Sequence, residues 1–167
     1  MTVNAFLRFI LISSCICCLL PSYSSARPDK IRVVMENNYP PFVFKDNAGN
    51  PQGSQIDLWR LWEKKTGIKA EISLMDWAEA QSRLQAGEFD VIDKIAKTEP
   101  RSKIYDFSAP FSTIEVPVFF LKDIPGITGA ASLKGFAVGV QTGDSAIEYL
   151  NSQGVDNLLF LDRKSVV

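Results

Sequence analysis

From residue 27 onward the chain alternates between short β-branched runs and longer stretches with apolar residues at helical spacing. Lys30 to Glu36, KIRVVME, predicts a strand. Asn37 to Pro41, NNYPP, predicts a loop, because paired prolines interrupt helix and sheet. Phe42 to Phe44 predicts a short strand, and Asp46 to Gly53 is dense in turn residues. A helix follows, with Ser54 and Asp57 spaced as a capping box and Ile56, Leu58, Trp59, Leu61 and Trp62 as its apolar stripe. Gly67 is placed to close it. Ala70 to Met75 predicts a strand and Asp76 to Ala86 a second helix, with Asp76 and Glu79 as the cap pair and Gly87 as the stop.

Phe89 to Ile92 predicts a short buried strand. Asp93 to Lys103 has no clean period and six charged residues, and predicts a surface loop. Ile104 to Phe107 is expected to re-enter the core. Glu115 to Leu121, EVPVFFL, predicts a strand, with Pro117 suiting an edge or a crossover. Asp123 to Ser132 reads as a link. Phe136 to Val140 predicts a strand, Ser145 to Gln153 a helix with Ser145 and Glu148 as a third capping box, and Leu158 to Leu161 a last strand. Strand–helix–strand alternation with short loops predicts an α/β fold with mainly parallel sheet. Residues 27–120 form a first unit, and residues 121–167 begin a second that has too little chain to complete a domain.

The first 26 residues follow another pattern. Arg8 is their one charge, Phe9 to Leu20 is a 12-residue apolar run, and Ser24-Ser25-Ala26 places small residues at a cleavage position. This is the form of a signal peptide, and the run falls short of the ~20 residues that span a bilayer. All three cysteines, Cys15, Cys17 and Cys18, lie within it. Cleavage after Ala26 leaves no thiol nucleophile, disulfide or cysteine metal site. The alternative is cleavage at a loose lipobox before Cys15, leaving a lipid-anchored protein. Either way the remainder is expected outside the cytoplasmic membrane.

The chain contains no histidine, which removes the commonest general base and metal ligand. Its formal net charge of −1 offers no basic excess for nucleic acid. No cofactor or metal is expected.

Three stretches follow strand ends, where ligands bind in open α/β sheets. The first is Tyr39-Pro40-Pro41-Phe42, in which rigid prolines can hold Tyr39 or Phe42 as a flat wall or simply support a core aromatic. The second is Thr98-Glu99-Pro100-Arg101. An arginine there can offer a bidentate fork to a carboxylate and Thr98 a hydroxyl, or Arg101 can be a solvated surface charge. The third is Gln141-Thr142-Gly143-Asp144-Ser145, a strand-to-helix junction whose free N–H groups favour an anion. Asp144 opposes an anion, so this junction can also be a capped helix start and nothing more.

Taken in order, these stretches form a longer pattern: Tyr39 to Phe42 after a strand; Gly49, Gly53, Asp57 and Leu58 before a helix; Trp77, Leu84, Gly87 and Asp90; Thr98 and Arg101 followed by Asp106-Phe107-Ser108, Pro110 and Phe111; then Leu133 to Gly135 and Val138 to Val140. Over residues 30 to 161 this resembles the family 3 extracellular solute-binding proteins of the amino-acid-binding type. The resemblance implies a periplasmic-binding-protein-like, type II two-lobed clamp without enzymatic activity. It implies that Arg101 grips a ligand carboxylate, that Tyr39 or Phe42 packs on the ligand, and that Gly143, Asp144 and Ser145 help from the second lobe. The implied ligand is an amino acid or similar small polar solute, bound for an ABC importer or as a receptor sensor domain. The stretch Val91 to Thr98 is closer to sensor-type members joined to histidine kinases or diguanylate cyclases. There Asp93 could meet a ligand ammonium or pair with Lys97. The family's second lobe continues past Leu161, so a truncated chain is expected. Phe136, Val138, Val140, Ile147, Leu150, Leu158, Leu159 and Phe160 would then be left exposed. Two alternatives remain: a dehydratase-like enzyme, with Asp93, Glu99 and Asp144 as its possible acids or bases, and a remnant that binds nothing.

Overall fold

The computed structural model describes residues 27–162. The signal-peptide expectation, its cleavage site and the three cysteines lie outside them.

A parallel three-stranded sheet organises the amino-terminal unit, in the order β5 (Lys69–Met75), β1 (Lys30–Glu36), β6 (Val91–Ile92). The register runs from Lys30 opposite Lys69 to Glu36 opposite Met75, and Val33 and Val34 face Val91 and Ile92. Val33, Val34 and Met35 are all fully buried. Three consecutive buried residues mean that β1 is covered on both faces, as a central parallel strand requires. Val33 and Met35 cluster with Val43, Ala70 and Ile56 of helix α1 (Ser54–Thr66). Helix α2 (Trp77–Gln85) also packs against β1 and buries Trp77 and Ala80.

Two features differ from the sequence expectation at the start of α1. Residues 37–41 are not wholly loop. Asn38–Tyr39 forms β2, antiparallel to β3 (Val43–Lys45), and β3 pairs in turn with β4 (Pro51–Gln52). The Ser54–Asp57 capping box does not form, because Gly53 is the N-cap and makes no side-chain bond. The free N–H groups of Ser54 and Gln55 are taken by the carbonyls of Pro41 and Phe42, at 3.2 and 2.9 Å. This ties the β2–β3 turn to the helix start. Gly53 has φ +115°, and a Cβ there would lie 2.3 Å from the Phe42 carbonyl oxygen. Glycine therefore permits the contact. Along α1 the buried stripe is narrower than its sequence suggests: Ile56 is buried, Trp59 and Trp62 are half-buried, and Leu58 and Leu61 are exposed.

The other helix ends follow simple capping rules. Gly67 ends α1 in a left-handed turn, its N–H donating to the Glu63 carbonyl. Asp76 caps α2, accepting from the N–H groups of Ala78 and Glu79.

A second, smaller unit pairs β7 (Val138–Gln141) with β8 (Leu158–Leu161) in parallel, connected through α3 (Ser145–Ser152). Its separate core is Leu133, Val140, Leu150 and Val155. The N-cap of α3 is Asp144, which accepts from Ala146 N–H at 2.8 Å, rather than the expected Ser145. Of the eight residues expected to be exposed in this unit, Phe136, Leu159 and Phe160 are; Val140 and Leu150 are buried, and Val138, Ile147 and Leu158 are half-buried.

The segment between the units departs most from expectation. Ile104 is exposed rather than returned to the core, and Tyr105 and Phe107 are half-buried. Glu115 to Leu121 forms no strand, with Val116, Phe119 and Leu121 more than two-thirds exposed. Its apolar pattern suits a strand, but among the described residues no strand lies beside it to accept the pairing.

Candidate ligand-binding site

The start of α2, the 3₁₀ turn that follows the loop leaving β6, and the turn into α3 converge on one point. It is the backbone carbonyl oxygen of Gly143. Arg101 Nη2 donates to it at 2.8 Å, Trp77 Nε1 at 3.0 Å and Gln81 Nε2 at 3.1 Å. All three donors come from the amino-terminal unit, and the acceptor comes from the second. Trp77 and Gln81 meet here because they lie four residues apart on one face of α2. Gly143 has φ +78°, and a Cβ there would lie 2.6 Å from Gln81 Nε2.

Arg101 is buried, with 5% of its surface exposed. It opens a short 3₁₀ turn, Arg101–Lys103, after the loop leaving β6. Its backbone N–H donates to Thr98 Oγ1 at 3.3 Å, and Nη1 donates to the Ala96 carbonyl at 3.1 Å. Nε lies 3.6 Å from Glu148 Oε1 on α3. The other oxygen of that carboxylate, Oε2, is buried without a hydrogen-bond partner. The guanidinium plane is thus aimed from several sides toward acceptors that belong to the protein itself.

The remaining candidates divide into two groups. Tyr39 and Phe42 stand together, ring centroids 5.1 Å apart and edge-on at 62°, and the Lys94 ammonium lies 3.9 Å from the Phe42 centroid. Asp93 is buried at 8% exposure and held on both oxygens: Trp59 Nε1 donates to Oδ2 at 2.8 Å, and Lys94 N–H donates to Oδ1 at 2.7 Å. Of the two alternatives for Asp93, the pairing with Lys97 does not form among the described residues; the Lys97 ammonium lies 5.8 Å from the centre of the Phe107 ring. Asp144 is engaged as the cap of α3, with Ser145 Oγ 3.4 Å from its carboxylate. A shallow open depression of about 350 Å³, lined by Asn37, Asn38, Phe44 and Lys45, contains none of the eight candidates.

Sequence reasoning missed Trp77 and Gln81 as partners of this point, although Trp77 stood within the quoted pattern. The available signal was their i, i+4 spacing in the helix that follows the carboxyl end of β5. It also missed a second link between the units, Gln141 Nε2 donating to the buried Glu36 carboxylate at 2.6 Å. Among the described residues no cluster of acids, cysteines or histidines forms a metal site.

The family described as bacterial extracellular solute-binding proteins, family 3, matches residues 31–158. The L-cystine-binding protein TcyJ of Escherichia coli (strain K12) is 33% identical over 128 residues, covering 74% of this chain and 48% of TcyJ. The chain therefore spans about half the length of that relative. A histidine kinase sensor domain similar to periplasmic binding proteins superposes with a TM-score of 0.74 at 30% identity, over 81% of this chain and 60% of that one. An ancestral amino acid-binding protein, a precursor of cyclohexadienyl dehydratase, superposes at 0.65 with 30% identity, over 80% of this chain and 60% of that one. With residues 31–158 matched and the periplasmic-binding-protein fold shared, the chain belongs to the bacterial extracellular solute-binding proteins, family 3.

Proposed function

We propose that the protein binds an amino acid or a similar small acid between its two units, with Arg101 as the carboxylate anchor. The observation that carries this reading is the convergence of Arg101, Trp77 and Gln81 on the single oxygen of Gly143. Three donors, one of them a buried permanent cation, form a cluster suited to an oxyanion. A neutral carbonyl accepts from it but does not neutralise the guanidinium. A ligand carboxylate offers two charged oxygens and is the better acceptor. In this reading it displaces the Gly143 carbonyl as the units part to admit it. Thr98 holds the Arg101 backbone, and Tyr39 and Phe42 supply the apolar wall. Gly143, Asp144 and Ser145 close over the ligand from the second unit. Asp93, fixed by Trp59, directly follows β6.

The reading assigns residues 27–120 to one lobe and residues from 121 onward to the other. It assigns binding rather than catalysis, because Asp93 and Asp144 are already committed to structural hydrogen bonds and Glu99 is paired with Lys103 on the surface. The partner is an ABC importer or a signalling receptor. The working site is outside the cytoplasmic membrane after cleavage following Ala26. Amino-terminal sequencing of the exported protein tests that step: a start at Arg27 supports it, and a start at Cys15 replaces it with a lipid anchor.

Thermal melts against a panel of amino acids and small organic acids test the binding function. A ligand that binds only the folded state raises its stability by RT ln(1 + [L]/Kd), about 2.7 kcal/mol at one hundred times Kd. A concentration-dependent rise in Tm is expected for at least one carboxylate-bearing compound. No shift with any member of the panel would favour the remnant that binds nothing.

A further inference from the structure

Lys94 is the one residue other than glycine that holds a positive φ, +62°, among the described residues. That conformation is costly for a residue with a Cβ. The ammonium lies 3.9 Å from the Phe42 ring centroid and 5.6 Å from that of Phe111. Lys94 is half-buried, yet its ammonium makes no hydrogen bond or ion pair with the described residues. The adjacent acid, Asp93, accepts from the Trp59 indole and the Lys94 backbone N–H and makes no ion pair with the Lys94 ammonium among the described residues. A ring face attracts a cation, but it accepts none of the three N–H bonds that an ammonium offers.

This cation stands over Phe42, where the proposed ligand would pack. A ligand carrying a positive group toward Phe42 must displace Lys94 and meet its charge. A ligand carrying a negative group there completes the ammonium's bonding and leaves the ring contact in place. We infer that Lys94 is a specificity residue that holds a second anionic group, so that the preferred ligands are small compounds with two carboxylates, such as acidic amino acids. The inference rests on the reading of Arg101 as the anchor for the first carboxylate.

The test is a calorimetric titration of the protein with glutamate, glutamine and arginine, repeated with Lys94→Asn and Lys94→Arg. Asparagine tolerates the left-handed backbone and removes the charge. Glutamate is expected to bind the native protein about tenfold or more tightly than glutamine, as a charged pair in a half-closed site allows. Lys94→Asn should erase that preference by weakening glutamate far more than glutamine, with the unliganded Tm near its native value. Lys94→Arg should retain it. Glutamine or arginine binding as tightly as glutamate, or equal losses for glutamate and glutamine in Lys94→Asn, would overturn the inference while leaving the Arg101 anchor intact. Absence of binding by all three would overturn the inference alone, and glutamate affinity unchanged in Arg101→Ala would overturn both.

Discussion

Arg101 and Gly143 are separated by 42 positions in sequence and joined by a 2.8 Å hydrogen bond from Nη2 to the backbone carbonyl. This contact binds the loop after β6 to the turn before α3. Glu148 stands on its flank, one oxygen 3.6 Å from Arg101 Nε and the other without a partner. In the proposed function a ligand carboxylate must share the guanidinium with that acid. Glu148→Gln keeps the side chain's size and removes its charge. It should tighten carboxylate binding by about 1 kcal/mol, the scale of a partly solvated ion pair. Calorimetry on the variant checks this. A marked loss of affinity would instead make Glu148 a ligand contact, for example to an ammonium.

Gly53 is a structural requirement of the aromatic wall. A side chain there would overlap the Phe42 carbonyl and would also have to adopt φ +115°. Gly53→Ala should cost on the order of 3 kcal/mol, combining backbone strain with forced displacement of the Phe42 turn. Chemical denaturation measures it. A variant as stable as the native protein would show that this turn can relax away from α1.

Trp59 fixes Asp93 through a 2.8 Å bond from its indole N–H. Trp59→Phe retains most of the ring and leaves one oxygen of a buried carboxylate unpaired. The expected cost is about 1–3 kcal/mol, the penalty for an unsatisfied buried acceptor. Trp62→Phe is the comparison, since that ring stacks edge-on with Trp59 at 5.3 Å and the substitution leaves the Asp93 bond untouched.

Acid sensitivity should originate in part at the junction of β1 and β6. Asp90 accepts from Arg32 through the guanidinium, at 2.6 and 3.1 Å, and through the backbone N–H at 2.7 Å. The guanidinium bonds, with the backbone N–H second, hold the Asp90 carboxyl at about 2, below its ordinary 3.8. A depressed carboxyl stabilises the folded state fully above its unfolded pKa, and that share is lost as pH falls through the folded value. Tm should therefore drop between pH about 4 and about 2. Asp90→Asn should flatten that slope without abolishing it, because Glu63 and Asp46 are lowered too, chiefly by Arg60 and Asn50. An unchanged slope in Asp90→Asn would remove this pair from the account.

Much of this fold was legible because its elements carry their own local signals. The run of β-branched residues from Lys30 to Glu36, the glycine at 67 and the aspartate at 76 each act within a few residues, and each appears where the sequence places it. The α3 cap shifted by one residue because Asp144 and Ser145 are both competent caps and only the three-dimensional turn selects between them. Glu115 to Leu121 has strand chemistry, but a strand needs a neighbour, and pattern alone does not supply one. At the candidate site the sequence singled out Arg101 and Gly143 as separate features. Their direct contact, and the roles of Trp77 and Gln81 around it, depend on how two units meet, and no local pattern encodes that.

The central claim is that Arg101 is the carboxylate anchor. Calorimetric titration of the tightest-binding acid against the native protein, Arg101→Ala and Arg101→Lys tests it most directly. Arg101→Ala should lose about 2–5 kcal/mol of binding free energy, as expected when one partner of a buried charge pair is removed. Arg101→Lys should also bind more weakly, because an ammonium cannot reproduce the planar fork. Native affinity in Arg101→Ala, with the variant still folded by its melting transition, would contradict the account and place the carboxylate elsewhere.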